Sequence, residues 1–91
     1  MQILDYNLVL TCQCCPEQYD VFDSDGKQSG YIRLRGGNFR VYYPDTGGEL
    51  VFYHRFEDDA WKGMFDNEEE REKYLTEAVK AIHNHERRQN A

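Results

Sequence analysis

No apolar run in this sequence approaches membrane-spanning length, which takes about 20 residues in a helix. The first ten residues, MQILDYNLVL, lack the basic patch that opens a secretory signal and carry Asp5 instead. Cysteine is scarce, and its count of three is odd, with two adjacent. A secreted disulfide framework shows an even, spaced set, so the expectation is a cytoplasmic protein with reduced thiols that does not engage a membrane. Bases are outnumbered, 11 Lys and Arg against 17 Asp and Glu, for a net charge of −6. That argues against direct nucleic-acid binding, whose affinity comes mainly from Lys and Arg on phosphates. There is no Ser-His-Asp arrangement, no phosphate-binding glycine loop and no spaced carboxylate pair with a recognisable cleft. A chain of 91 residues has room for one small core and little left for a water-excluding pocket. The expectation is a single domain, 1–91, that is not an enzyme and needs no cofactor.

What the sequence does have is aromatic residues, alternation and turn chemistry. Seven Tyr and five Phe, set in clear alternation, belong to a folded chain. Strands are expected at about 2–11, 18–23, 29–35, 38–43 and 49–56. Asp25-Gly26 and Gly36-Gly37 each fit the centre of a two-residue hairpin turn, where glycine supplies positive φ cheaply, and Pro44 to Gly48 make a longer turn. The turns propose a register. Around Gly36-Gly37, Arg35 faces Asn38, Leu34 faces Phe39, Arg33 faces Arg40, Ile32 faces Val41 and Tyr31 faces Tyr42. Directly opposed residues share a face, so Ile32, Leu34, Phe39 and Val41 make an apolar side, and Tyr31, Arg33, Arg35, Arg40 and Tyr42 a polar one. Around Asp25-Gly26, Tyr19 and Val21 join the apolar side, and Asp20 lands on the polar one, diagonal to Arg33. Both turns give the same face assignment, which a one-residue slip would scramble.

The segment EDDAWKGMFD then connects to a helix expected at about 67–87. Asp66 is the expected N-cap, with Glu69 three residues on completing a capping box. Acids at Glu68 to Glu70 and bases at Arg87 and Arg88 suit the helix dipole. Tyr74, Leu75, Ala78, Val79 and Ile82 recur at helical spacing and form the stripe that should cover the apolar side of the sheet. The expected fold is α+β, an antiparallel β-meander of about four to five strands covered on one face by a C-terminal α-helix.

The stretches CPEQYDVFD, DGKQSGYIRLRGGNFRVYYPD, GGE and EREKYLTEAVKAI, from roughly Cys15 to Ile82, resemble a family of small proteins from bacteria and their phages that has no established activity. The resemblance implies a bacterial or phage accessory protein and carries over no site residues. Of the cysteines, only the Cys15-Pro16 pair belongs to that pattern.

Several groups could carry chemistry. Cys12, Cys14 and Cys15 offer soft ligands for zinc or copper(I), but C-x-C-C is tight and a fourth ligand would have to come from His54, His83 or His85. The reading taken is reduced cysteines packing as small hydrophobes at a strand end, with metal binding or redox chemistry as the alternatives. His83 and His85, two apart on a helix, do not share a face. The acids between Glu57 and Glu72 (Glu57, Asp58, Asp59, Asp66, Glu68, Glu69, Glu70 and Glu72) either solvate a loop and helix start or make a patch for a basic partner. Within that stretch, Trp61, Met64 and Phe65 are expected to close the end of the core, and Trp61, if exposed, to anchor a partner. The polar sheet face is the most informative. Arg33 opposite Arg40 is a like-charge pair that costs free energy unless acids compensate. Asp20, Asp45 or Glu49 could supply them, and Asp20 is expected to lean toward Arg33. A single helix cannot cover both faces, and Tyr and Arg are enriched at interface hot spots. The expected function is therefore protein binding through Tyr31, Arg33, Arg35, Arg40 and Tyr42, with Trp61 second. The partner would be a host protein or a second copy meeting the same face as a homodimer. The rival reading is a small anion or nucleotide clamped by the arginines.

Overall fold

A computed structural model describes residues 1–11 and 17–89. Cys12, Cys14, Cys15 and Pro16 lie outside them, and so does the expectation that the cysteines end a strand. The chain forms strands β1 (Gln2–Ile3), β2 (Tyr6–Leu10), β3 (Gln18–Phe22), β4 (Gln28–Arg35), β5 (Asn38–Tyr43) and β6 (Glu49–Arg55), followed by helix α1 (Glu68–Gln89). The strands pair antiparallel in chain order to make a six-stranded meander. α1 packs on one side of it, against β1, β4, β5 and β6.

The first strand differs from expectation. The stretch expected as one strand at 2–11 is a hairpin, β1 turning into β2 at Leu4-Asp5, with Leu4 at φ 54°. The fold brings Ile3 opposite Tyr6, and Tyr6 and Leu8 then point into the core. Tyr6 reaches the far end of α1, where its hydroxyl donates to Glu86.

The central register agrees with the sequence. Gly36 and Gly37 have φ of 58° and 77°, and the five pairs from Arg35–Asn38 to Tyr31–Tyr42 form as read. The β3–β4 connection reaches the expected pairing by a different route. The Asp23 amide donates to Lys27 O at 2.8 Å, so the loop is one residue longer than a two-residue turn, and Asp23 Oδ1 accepts from the Asp25 and Lys27 amides at 2.9 Å each. A bulge between Val21 and Phe22 then restores Val21 opposite Gly30. The two departures cancel, and the faces stay where alternation puts them. A second bulge beside Val51 sets Val41 opposite Phe52 and Arg40 opposite Tyr53. It turns Phe52 toward the core and Tyr53 toward the open side.

The covered face holds Tyr19, Val21, Ile32, Leu34, Phe39 and Val41, closed over by Leu75, Ala78, Val79 and Ile82 of α1. Phe39 is fully buried, with ring centroids of Phe52, Phe65 and Tyr74 at 6.0, 5.7 and 5.9 Å. The helix cap sits one residue later than the sequence suggests. Asn67 Oδ1 accepts from the Glu70 amide at 2.8 Å, and Glu70 Oε1 accepts from the Asp66 amide at 3.1 Å. Asp66 is drawn away from capping because its carboxylate takes the buried Lys62 ammonium at 2.8 Å.

Two buried ions fasten the connector, one of them tying it and α1 to β3 and the other tying it to the start of α1. Glu17 is 1% exposed. It accepts from Tyr19 Oη at 2.7 Å, from the Phe65 amide at 3.1 Å and from Arg71 through both Nε and Nη2, the latter at 2.8 Å. Burial works to raise its pKa, and the Arg71, Tyr19 and Phe65 donors overcome that and hold it below the ordinary glutamate value. Lys62 is 5% exposed and bridges Asp66 and Glu70, with its ammonium 5.2 Å from the Phe56 ring. Burial opposes its charge, and the two carboxylates prevail and raise its pKa.

Candidate functional site

The face of the sheet opposite α1 follows from the register. Its rows run Val9–Asp20–Tyr31–Tyr42–Leu50 and Gln18–Arg33–Arg40–Tyr53, ending in Arg35–Asn38–Arg55 at the β4–β5 turn. Alternation along each strand points these residues away from α1. The centre is the directly opposed pair Arg33–Arg40, both half-buried. Among the described residues, none of Arg33, Arg35, Arg40 and Arg55 joins an ion pair. In a chain of net charge −6, the open face carries those four arginines against Asp20.

The structure brings together Tyr31, Arg33, Arg40 and Tyr42, with Arg35 exposed at the end of the same face. Tyr31 and Tyr42 lie 6.2 Å apart and tilted by 36°. Tyr31 is only 8% exposed, so, unlike Tyr42, it offers a partner little contact area. Burial raises its phenol pKa, with Arg33 opposing. Asp20 does not turn to Arg33. It sits opposite Tyr31 and accepts from Gln28 Nε2 at 3.1 Å, while Gln18 is the residue opposite Arg33. Asp45 instead caps its own turn through the Gly47 amide, and Glu49 lies 3.2 Å from His85 Nε2. None of the three acids proposed as compensators neutralises the arginine pair.

Two more residues of this face, Tyr53 and Arg55, were not identified from sequence. The Arg40 guanidinium carbon lies 5.5 Å from the Tyr53 ring centroid. Tyr53 Oη and Arg55 Nη1 both donate to Asn38 Oδ1, at 2.6 and 2.9 Å. The signal was the alternation Leu50 to Arg55, but the bulge beside Val51 shifts its phase. Val9, Leu50 and Tyr53 add exposed apolar area around the arginines, at 44%, 48% and 46% exposure.

Trp61 stands elsewhere. Of the three residues expected to close the core, Phe65 does so, and Trp61 and Met64 do not, being 91% and 54% exposed. The reason is local. The Gly37 amide donates to Lys62 O and the Phe56 amide to Gly37 O, fastening the connector to the β4–β5 turn on both sides of Trp61. Lys62 turns inward to its carboxylates, and Trp61 is left outward beside the arginine-bearing end of the sheet.

The histidines are dispersed. His54 packs against Phe56 and Tyr74, His83 against Tyr6, and His85 against Tyr43. Among the described residues no group of three or more His, Cys, Asp or Glu is placed to hold a metal ion. Among the same residues, no helix is long and apolar enough to cross a membrane. Comparison of the chain with protein-family models, with curated proteins and with solved structures found no match.

Proposed function

We propose that this protein is a non-enzymatic accessory protein of the bacterial or phage cytoplasm that works by binding another protein through the open face of its sheet. The observation that carries this reading is the opposed pair Arg33–Arg40, unneutralised at the centre of a face that the one helix leaves bare. Like charges held side by side cost free energy in the free protein, and a partner's carboxylates relieve that cost on binding. The apolar margin of Val9, Leu50 and Tyr53 gives the contact area that a purely ionic surface lacks. A nucleic-acid platform fits less well. Base stacking needs free ring faces, whereas Tyr31 is buried and the Arg40 guanidinium lies over the Tyr53 ring.

Arg33→Glu is expected to abolish capture of the partner from a host lysate while moving the melting temperature little, because the side chain is half-buried and outside the core. Capture at wild-type level would refute the reading.

The same arginine pair favours a second reading, a small anion or nucleotide held between the guanidinium groups. In that case sulfate or a nucleotide triphosphate should raise the melting temperature of the wild type and not of Arg33→Glu. The absence of any shift across a panel of such anions removes this reading.

A further inference from the structure

The open face is basic, and the same chain carries a segment of the complementary chemistry. The connector between β6 and α1 carries Glu57, Asp58 and Asp59, all exposed, and continues to Trp61 and Met64, also exposed. This segment is held rather than loose. Both of its sides are tied to Gly37, the Lys62 amide donates to Asp59 O at 3.2 Å, and the Trp61 amide donates to Asp59 Oδ1 at 3.1 Å. A tryptophan carried outward on a pinned backbone has only its two side-chain torsions to order when a partner covers it. At 91% exposure it also does not fold back onto the arginines of its own chain. Arginine is a strong match for both parts of such a segment, since guanidinium groups pair with carboxylates and stack on indole faces.

We propose that the open face of one copy takes the connector of a second copy. Trp61 of one lies over Arg33 and Arg40 of the other, and Glu57, Asp58 and Asp59 face Arg35 and Arg55. This rests on the reading of the open face as a docking surface and names its occupant. The two patches are different surfaces, so the contact is heterologous and each copy presents one of each. Association therefore continues past the dimer, head to tail, unless the rotation closes a ring.

Sedimentation velocity over a concentration series of the full chain tests this. The wild type is expected to shift from monomer to dimer and larger species as concentration rises. Trp61→Ala retains the basic face and loses the anchor. The double variant Arg33→Glu/Arg40→Glu retains the connector and loses the face. Each alone is expected to stay monomeric, with the dissociation constant raised at least about tenfold. Mixed together, they should form a 1:1 complex that grows no further, because each supplies the one patch the other lacks. All three substitutions lie outside the core, and melting curves verify that each variant is folded. A wild type that stays monomeric at every concentration overturns the proposal. So does a mixture that fails to pair, or a closed dimer that either variant still forms. If the wild type is monomeric yet captures another protein through Arg33, self-docking falls and the docking-surface reading stands. Loss of both removes both.

Discussion

Glu17→Gln is expected to lower the melting temperature by about 12 °C or more. The carboxylate is almost fully buried and serves donors from three separate places: Tyr19 on β3, the Phe65 amide in the connector and Arg71 on α1. Glutamine retains the shape but not the charge, so Tyr19 and the Phe65 amide lose a charged acceptor and the partly exposed Arg71 keeps Glu68 but loses its buried carboxylate. A hydrogen bond to a charged group is worth about 1.5–3 kcal/mol, several are weakened at once here, and each kcal/mol is worth about 4–8 °C in a domain of this size. Against a total stability of about 5–15 kcal/mol this brings the variant near the edge of folding. The pH dependence gives a second readout. Glu17 is held below the pKa it has in the unfolded chain, about 4.3. Its contribution is therefore complete above that value and is lost as pH falls through the lower folded value. Urea unfolding followed from about pH 7 to about pH 3 should show the wild type losing stability more steeply than Glu17→Gln over the acid end. Parallel curves would mean that the carboxylate is not held by these donors.

Phe39→Ala should cost about 3–5 kcal/mol, measured by chemical denaturation. Phe39 is fully buried and meets Phe52 of β6, Phe65 of the connector and Tyr74 of α1 edge to face. Truncation leaves a void that three different elements would have to collapse to fill. Phe39→Leu, which leaves a smaller void, should cost much less. Equal costs for the two would show that ring contacts rather than filled volume matter at this position.

The parts of the fold legible in sequence are those fixed by local chemistry. Gly36 and Gly37 adopt the positive φ that their turn requires, and that single hairpin sets which residues line each face. The apolar stripe of α1 is likewise a matter of spacing, and Leu75, Ala78, Val79 and Ile82 are buried as it implies. The features that escaped depend on partners distant in the chain. Glu17 reads as an ordinary acid after a proline, and nothing near it announces Arg71, 54 positions on. Lys62 reads as a surface base, yet its ammonium is enclosed by Asp66 and Glu70 and is the reason the helix cap moves to Asn67. Trp61 reads as core by composition, and is exposed because the connector's hydrogen bonds to Gly37 turn it outward. The arginine pair at the centre of the candidate face was legible. Its lack of a compensating acid was not, because it depends on Asp20 accepting from Gln28 of the neighbouring strand instead.

The docking role of the open face is tested most directly by comparing two charge reversals in the same capture experiment. Arg33→Glu changes the centre of the face, and Lys80→Glu makes the same change in net charge at an exposed position on α1. The expected result is that the partner is lost with Arg33→Glu and retained with Lys80→Glu, both variants melting near the wild type. Retention by both, or loss with both, would contradict a docking surface centred on Arg33 and Arg40.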